Sequence, residues 1–261
     1  MPDDQIRFED GASYEKMMGR WSRLVGERFI DWIDVPPRSR WLDVGCGNGA
    51  FTELLVERCA PLDVRAFDPS AGQLAYARTR LAPGAPVTWV QADACKLPVP
   101  DGECDAAVMA LVLFFVPEPA AGVAEMCRAV RRGAVVAAYH WDILGGGFPL
   151  ADIAAEMVEF GIPPRLPPSV TASTIDASDA LWREAGLREV RTAQFTVQRT
   201  FDSFDDYWNS AASSNTLRPV FEAMAPERRD LLKAHVRRRL RAGEGPLTVS
   251  ARSNAVCGIK P

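Results

Sequence analysis

The sequence offers little that could bind a metal. Its only histidines are His140 and His235, and its six cysteines, Cys46, Cys59, Cys95, Cys104, Cys127 and Cys257, lie far apart with no C-x-x-C pair. Such spacing supports neither a zinc site nor a disulfide framework, and unmatched thiols behave as small core hydrophobes. No metal site is expected. An excess of positive charge is also missing, because 30 Lys and Arg stand against 34 Asp and Glu for a formal net charge of −4. Without a basic field to drive counterion release, no nucleic-acid partner is expected. The run His235-Val236-Arg237-Arg238-Arg239-Leu240-Arg241 reads as a solvated helix face near a helix C-terminus. The longest apolar run, Ala106 to Val116, falls short of the roughly 20 residues a membrane helix needs, and the opening Met-Pro-Asp-Asp-Gln is acidic where a leader would be basic. The expectation is a cytoplasmic chain with no membrane partner. No internal repeat is visible.

What remains is a chain of 261 residues, 48% of them hydrophobic, enough to bury a full-sized core. After Pro36-Pro37, short apolar runs alternate with helical stretches as far as Trp141. The strands expected are Arg40 to Val44, Asp63 to Phe67, Val87 to Ala92, Cys104 to Ala110 and Ala134 to His140, with helices at Phe51 to Cys59, Ala71 to Leu81 and Ala120 to Arg131. Strands such as Ala-Ala-Val-Met-Ala are continuously apolar, as when helices cover both faces of a parallel sheet. Residues 37–142 thus read as an α/β core. Gly145-Gly146-Gly147 and the proline-rich stretch from Pro163 to Pro168 break the alternation, so 143–175 reads as a flexible connection and lid. Residues 176–261 carry a helix at Ala177 to Ala185 and two further strands, Val190 to Phe201 and Val249 to Ile259. A helical insertion at about 203–243 separates the strands. Seven strands in a mostly parallel sheet are expected.

The chemistry centres on Leu42-Asp43-Val44-Gly45-Cys46-Gly47-Asn48-Gly49, where a strand runs into a glycine loop and then a helix. Gly45, Gly47 and Gly49 can adopt positive φ and let a ligand lie against the backbone. The pattern is G-x-G-x-G with an acid before it, not the G-x-G-x-x-G of dinucleotide sites. Asp43 suits a ligand bearing an ammonium group better than one bearing a pyrophosphate. Asp68 ends the next strand, where a carboxylate can accept both ribose hydroxyls, although it could also cap the helix that follows. An amino-acid-bearing nucleoside fits these features.

These residues resemble the first motif of the class I S-adenosylmethionine-dependent methyltransferases, in particular the type 11 group similar to ubiquinone and menaquinone biosynthesis methyltransferases. The resemblance runs from about Tyr14 to His140. It implies a Rossmann-like fold and S-adenosyl-L-methionine as cofactor, held by Asp43, Gly45, Cys46, Gly47 and Gly49. Asp68 and Pro69 follow at the ribose, Asp93 and Ala94 at the adenine, and Ala110 and Leu111 after the fourth strand. Phe114-Phe115 stand where many members carry His, so a histidine role there does not transfer. Within residues 1–36, Tyr14, Met18 and Trp21 share a helical face similar to the family's lid over the cofactor. An ordinary amphipathic helix packed on the core explains that face equally well.

Methyl transfer needs mainly alignment and exclusion of water. A base helps only when the acceptor must lose a proton, and His140, at a strand's carboxyl end, is the candidate catalytic base. Its alternative is a wall or core histidine. Trp141, Phe148, Tyr207 and Trp208, with Phe204, are candidates for a pocket around a small, partly apolar methyl acceptor, or for core packing. An NAD-type oxidoreductase and a non-catalytic nucleoside-binding module are the rival readings.

Overall fold

A computed structural model describes residues 18–163, 166–214 and 217–261. Tyr14 lies outside them. The first described helix, α1 (Arg20–Ile33), is amphipathic: Trp21, Val25 and Phe29 recur on one face and are fully buried.

Four parallel pairings follow, made by β1 (Arg40–Val44), β2 (Asp63–Asp68), β3 (Val87–Gln91), β4 (Cys104–Ala110) and β5 (Val130–Trp141). The helices between them are α2 (Ala50–Cys59), α3 (Ala71–Ala77) and α4 (Pro119–Ala129). Helix α3 stops four residues short of the Leu81 expected from the sequence. Ser70 caps its start by accepting the Gln73 N–H at 3.3 Å. That cap leaves Asp68 free of the capping role, and its two oxygens accept the N–H groups of Gly47 and Ser70.

The stretch 143–175 is more structured than its glycines and prolines suggest. It contains α5 (Ala151–Glu159) and a short 3-10 turn, Val170–Ser173. Ser169 ties it to the turn after β4, donating its N–H to the Phe114 carbonyl at 3.0 Å and its hydroxyl to the Val116 carbonyl at 2.7 Å. Helix α6 (Ile175–Glu184) is capped by Thr174, and the Trp182 indole N–H reaches the Val136 carbonyl at 2.8 Å.

The chain closes with β6 (Arg188–Phe201), the insertion α7 (Phe204–Ala212), α8 (Arg218–Glu222) and α9 (Pro226–Arg239), and β7 (Leu247–Ile259). The sheet order is β3-β2-β1-β4-β5-β7-β6, with β7 antiparallel to both neighbours. The seven-stranded, mostly parallel sheet with its helical insertion between the last two strands is as expected. One apolar cluster lies on the side of α1, α2 and the insertion, and a second on the side of α4 and α6. The carboxyl ends of β1 to β5 remain open for a site.

Candidate functional site

A cavity of about 740 Å³ opens at those strand ends. The glycine loop between β1 and α2 forms part of its wall, held to β2 by Gly45 and Cys46 N–H groups that share the Phe67 carbonyl at 2.7 and 2.8 Å. Two of its glycines are needed for packing. A Cβ at Gly45 would collide with the Val112 side chain, and one at Gly49 would come within 2.8 Å of Trp89. Gly47 differs, with φ +53 and open space where its Cβ would be. A side chain at Gly47 would occupy the cavity, and Gly49, expected from the family motif to hold the cofactor, does not line it.

Three carboxylates face this space. Asp43 in β1 is fully buried and accepts the Thr52 hydroxyl on Oδ2 at 2.6 Å, while its Oδ1 has no partner among the described residues. Burial pushes its carboxyl up to about 7, reinforced by the charge of Asp68 and opposed by the Thr52 hydrogen bond. Asp68 accepts the Gly47 N–H on Oδ2 at 2.9 Å and the Ser70 N–H on Oδ1 at 2.8 Å. A carboxylate has about four lone-pair sites, so capacity remains for ligand hydroxyls. Burial raises its pKa, against those two N–H bonds. Asp93, after β3, is exposed and holds the Cys95 N–H at 2.8 Å. Cys46, Pro69, Ala94, Ala110 and Leu111 also line the cavity, so the structure brings together most of the residues implied by the motif. Burial pushes the Cys46 thiol up, which keeps it neutral. Leu111 holds φ +63, a left-handed conformation costing about 1–3 kcal/mol that is fixed here by its N–H bond to the Tyr139 carbonyl at 2.8 Å.

Other expected residues lie elsewhere. Trp21 is fully buried in the core cluster, and Met18 packs beside it, neither lining the cavity. The α1 residue that does reach the cavity is Ser22. Arg23 is held by Glu57 at 2.6 Å and Glu27 at 3.3 Å. Trp141, Phe148, Tyr207 and Trp208 belong to the core and do not line the cavity. Trp208 stacks on Phe221 with centroids 5.0 Å apart, and Tyr207 packs edge-on against Phe201 at 5.2 Å. These aromatics hold the insertion to the sheet.

His140 is also displaced from its expected place. Successive strand residues face opposite sides of a sheet, and Tyr139 lines the cavity with its ring 4.8 Å from that of Phe29, so His140 points the other way. It is fully buried, and neither ring nitrogen has a partner among the described residues. Burial lowers its pKa to about 4 against a raising contribution from Asp142, so it is neutral at physiological pH and would not produce a rate inflection near 6.5. His235 is half-exposed, 3.4 Å from Glu156, on the far surface formed by α5 and α9. Among the described residues no three His, Cys, Asp or Glu side chains are grouped to hold a metal, and no helix is long and apolar enough to cross a membrane.

Five further lining residues carry no site role in the sequence reading. Phe115, Val116 and Pro117 from the turn after β4 and Leu166 and Pro168 from the strap make an apolar wall. The sequence reads the proline cluster as part of a flexible connection and lid, without assigning Leu166 or Pro168 to the site.

A family model described as a methyltransferase domain matches residues 42–138. The chain is 33% identical over 114 residues to a malonyl-[acyl-carrier protein] O-methyltransferase of Serratia marcescens, covering 44% of this chain and 43% of that protein. It is 34% identical over 118 residues to a chloroplastic 2-methyl-6-phytyl-1,4-hydroquinone methyltransferase 2 of Oryza sativa subsp. japonica, covering 45% and 34%. The chain therefore spans less than half the length of these curated relatives. Phosphoethanolamine N-methyltransferase 2 of Haemonchus contortus, solved with S-adenosyl-L-methionine, superposes with a TM-score of 0.58 at 15% identity over 91% of this chain and 52% of its own, a likeness of fold. Strand order, glycine loop and matched segment agree: residues 42–138 match a methyltransferase domain, and the chain shares the Rossmann-like fold of the solved methyltransferase it superposes on.

Proposed function

We propose that this protein moves a methyl group from S-adenosyl-L-methionine to a small, partly apolar acceptor in the cytoplasm. The observation that carries the reading is the line of carboxylates at the ends of β1, β2 and β3 around a glycine whose missing side chain leaves the cavity open. The residues present fit the cofactor. The unpartnered Oδ1 of the buried Asp43 calls for a donor, and the cofactor's ammonium group is one. Asp68 would hold the ribose hydroxyls, Asp93 the adenine amino group and the Ala94 N–H the adenine ring, with Pro69, Ala110 and Leu111 enclosing them. When bound, S-adenosyl-L-methionine supplies an electrophilic methyl on a sulfonium whose departure leaves a neutral thioether.

The protein's part is alignment and the exclusion of water, which together can supply several kcal/mol of a barrier. The Leu111 N–H bond to Tyr139 fixes the wall beside the reacting centre, and the apolar turn after β4 keeps it dry. His140 faces away from the cavity, so we assign it no proton transfer. Transfer then relies on proximity, to an acceptor atom that already carries a lone pair.

Asp68→Ala tests the reading. Removing charge-assisted hydrogen bonds worth roughly 1.5–3 kcal/mol each should weaken S-adenosyl-L-methionine binding at least tenfold by calorimetry. An unchanged dissociation constant would leave Asp68 as no more than a pin between the glycine loop and β2.

A further inference from the structure

With the cofactor read as occupying the carboxylate side of the cavity, the opposite side is left for the acceptor, and the inference below rests on that reading. The two sides differ in chemistry. The first carries Asp43, Asp68 and Asp93; the second, made of Phe115, Val116, Pro117, Leu166 and Pro168, has no ionisable side chain. No lysine, arginine or histidine appears among the described residues lining the cavity. An anionic acceptor would therefore meet the carboxylates and, among the described residues, no counter-charge, a costly arrangement in a partly desolvated space.

Leu166 adds a separate observation. It is 48% exposed, and of the large exposed hydrophobics among the described residues, Leu62, Leu144, Val158, Leu166 and Leu231, it is the one lining the cavity. An apolar side chain left open at a cavity is unpartnered surface that an apolar ligand would cover. Its position is fixed through the two Ser169 hydrogen bonds to the Phe114 and Val116 carbonyls, which join the strap to the turn carrying Phe115. The segment carrying Leu166 is thereby held to the turn carrying Phe115, and both side chains line the same cavity.

We propose that the acceptor is an uncharged molecule with an apolar body, held against the Phe115 and Leu166 side chains that line the cavity, and that these two side chains select it.

The matched probes 2-naphthol, neutral at pH 7, and 2-naphthoate, an anion of the same shape, test this by calorimetry on the protein saturated with S-adenosylhomocysteine. The expected result is naphthol binding at least tenfold tighter than naphthoate. Leu166→Ser should weaken naphthol roughly fivefold, the loss of part of one leucine's burial, with S-adenosylhomocysteine affinity unchanged. Phe115→Leu should change the naphthol affinity in the same direction by a smaller factor. Equal or tighter binding of naphthoate, no binding of naphthol, naphthol that competes with S-adenosylhomocysteine, or naphthol affinity indifferent to both variants would overturn the proposal. Failure of S-adenosylhomocysteine itself to bind the wild type would overturn the underlying cofactor reading, and this proposal with it.

Discussion

Asp43→Asn is expected to stabilise the ligand-free protein above neutral pH while depriving it of its cofactor. Asp43 is fully buried and accepts a hydrogen bond from Thr52, and the groups facing it among the described residues are the Thr52 hydroxyl on α2, the Asp68 carboxylate at the end of β2 and the Cys46 thiol in the glycine loop. None of these is a cation. The carboxyl titrates near 3.8 when unfolded and at about 7 in the fold. Between those values the folded state binds the extra proton, so this group's contribution to stability falls as pH rises from about 4 to about 7 and stays low above that. Some three pKa units correspond to about 4 kcal/mol. An asparagine does not ionise, and its oxygen can still accept from Thr52, but its buried amide N–H groups lack partners at a cost of about 1–3 kcal/mol. The net gain at pH 8 should be on the order of 1–3 kcal/mol, several degrees in Tm, and should vanish or reverse at pH 4. The His140 contribution, of opposite slope, is common to both proteins and cancels in the difference.

The same change removes a charge-assisted bond to the cofactor's ammonium group, so affinity at pH 8 should fall tenfold or more. Wild-type affinity should itself decline as pH drops below 7 and the carboxyl takes up its proton. Chemical denaturation and calorimetry on both proteins at pH 5 and pH 8 check these outcomes. Identical pH dependence in the two would show that Asp43 does not titrate in this range.

Gly47→Val is expected to abolish cofactor binding in a protein that still folds. The open space at the Gly47 Cβ position means that no protein atom opposes the side chain, and a left-handed φ of +53 for a β-branched residue costs about 1–3 kcal/mol. The cavity loses the volume that the valine fills. Gly45→Val and Gly49→Val should instead be strongly destabilising, because their side chains would be driven into Val112 and Trp89. Circular dichroism with calorimetry separates the two behaviours, and a Gly47→Val protein with wild-type affinity would remove the glycine loop from the site.

The sheet was legible in the sequence because parallel strands buried on both faces form unbroken apolar runs between Gly, Pro and Asp. The bounds Arg40–Val44 and Cys104–Ala110 agree residue for residue. The start of β5 was not legible. Val130–Gly133 carries Arg131 and Arg132, which face solvent and look like a loop, yet Val130 pairs with Cys104 beside an irregularity in register. The carboxylates were legible because they belong to contiguous motifs at strand ends. The apolar wall was not, since Leu166 and Phe115 lie far apart in sequence and their segments are joined through the Ser169 hydrogen bonds to the turn after β4. The aromatics from Phe204 to Trp208 have a composition that suits a pocket or a core, and only their packing on Phe201 and Phe221 decides for the core. The facing of His140 was legible in part, because strand alternation puts it and Tyr139 on opposite faces and one of the two must point away from the cavity.

The most direct test of the account is a calorimetric titration of the wild-type protein with S-adenosyl-L-methionine, S-adenosylhomocysteine and NAD in turn. The carboxylate arrangement predicts micromolar or tighter dissociation constants for the first two and no binding of NAD, whose pyrophosphate would face Asp43 and Asp68. Preferential binding of NAD, or no binding of either sulfur nucleoside, would contradict it.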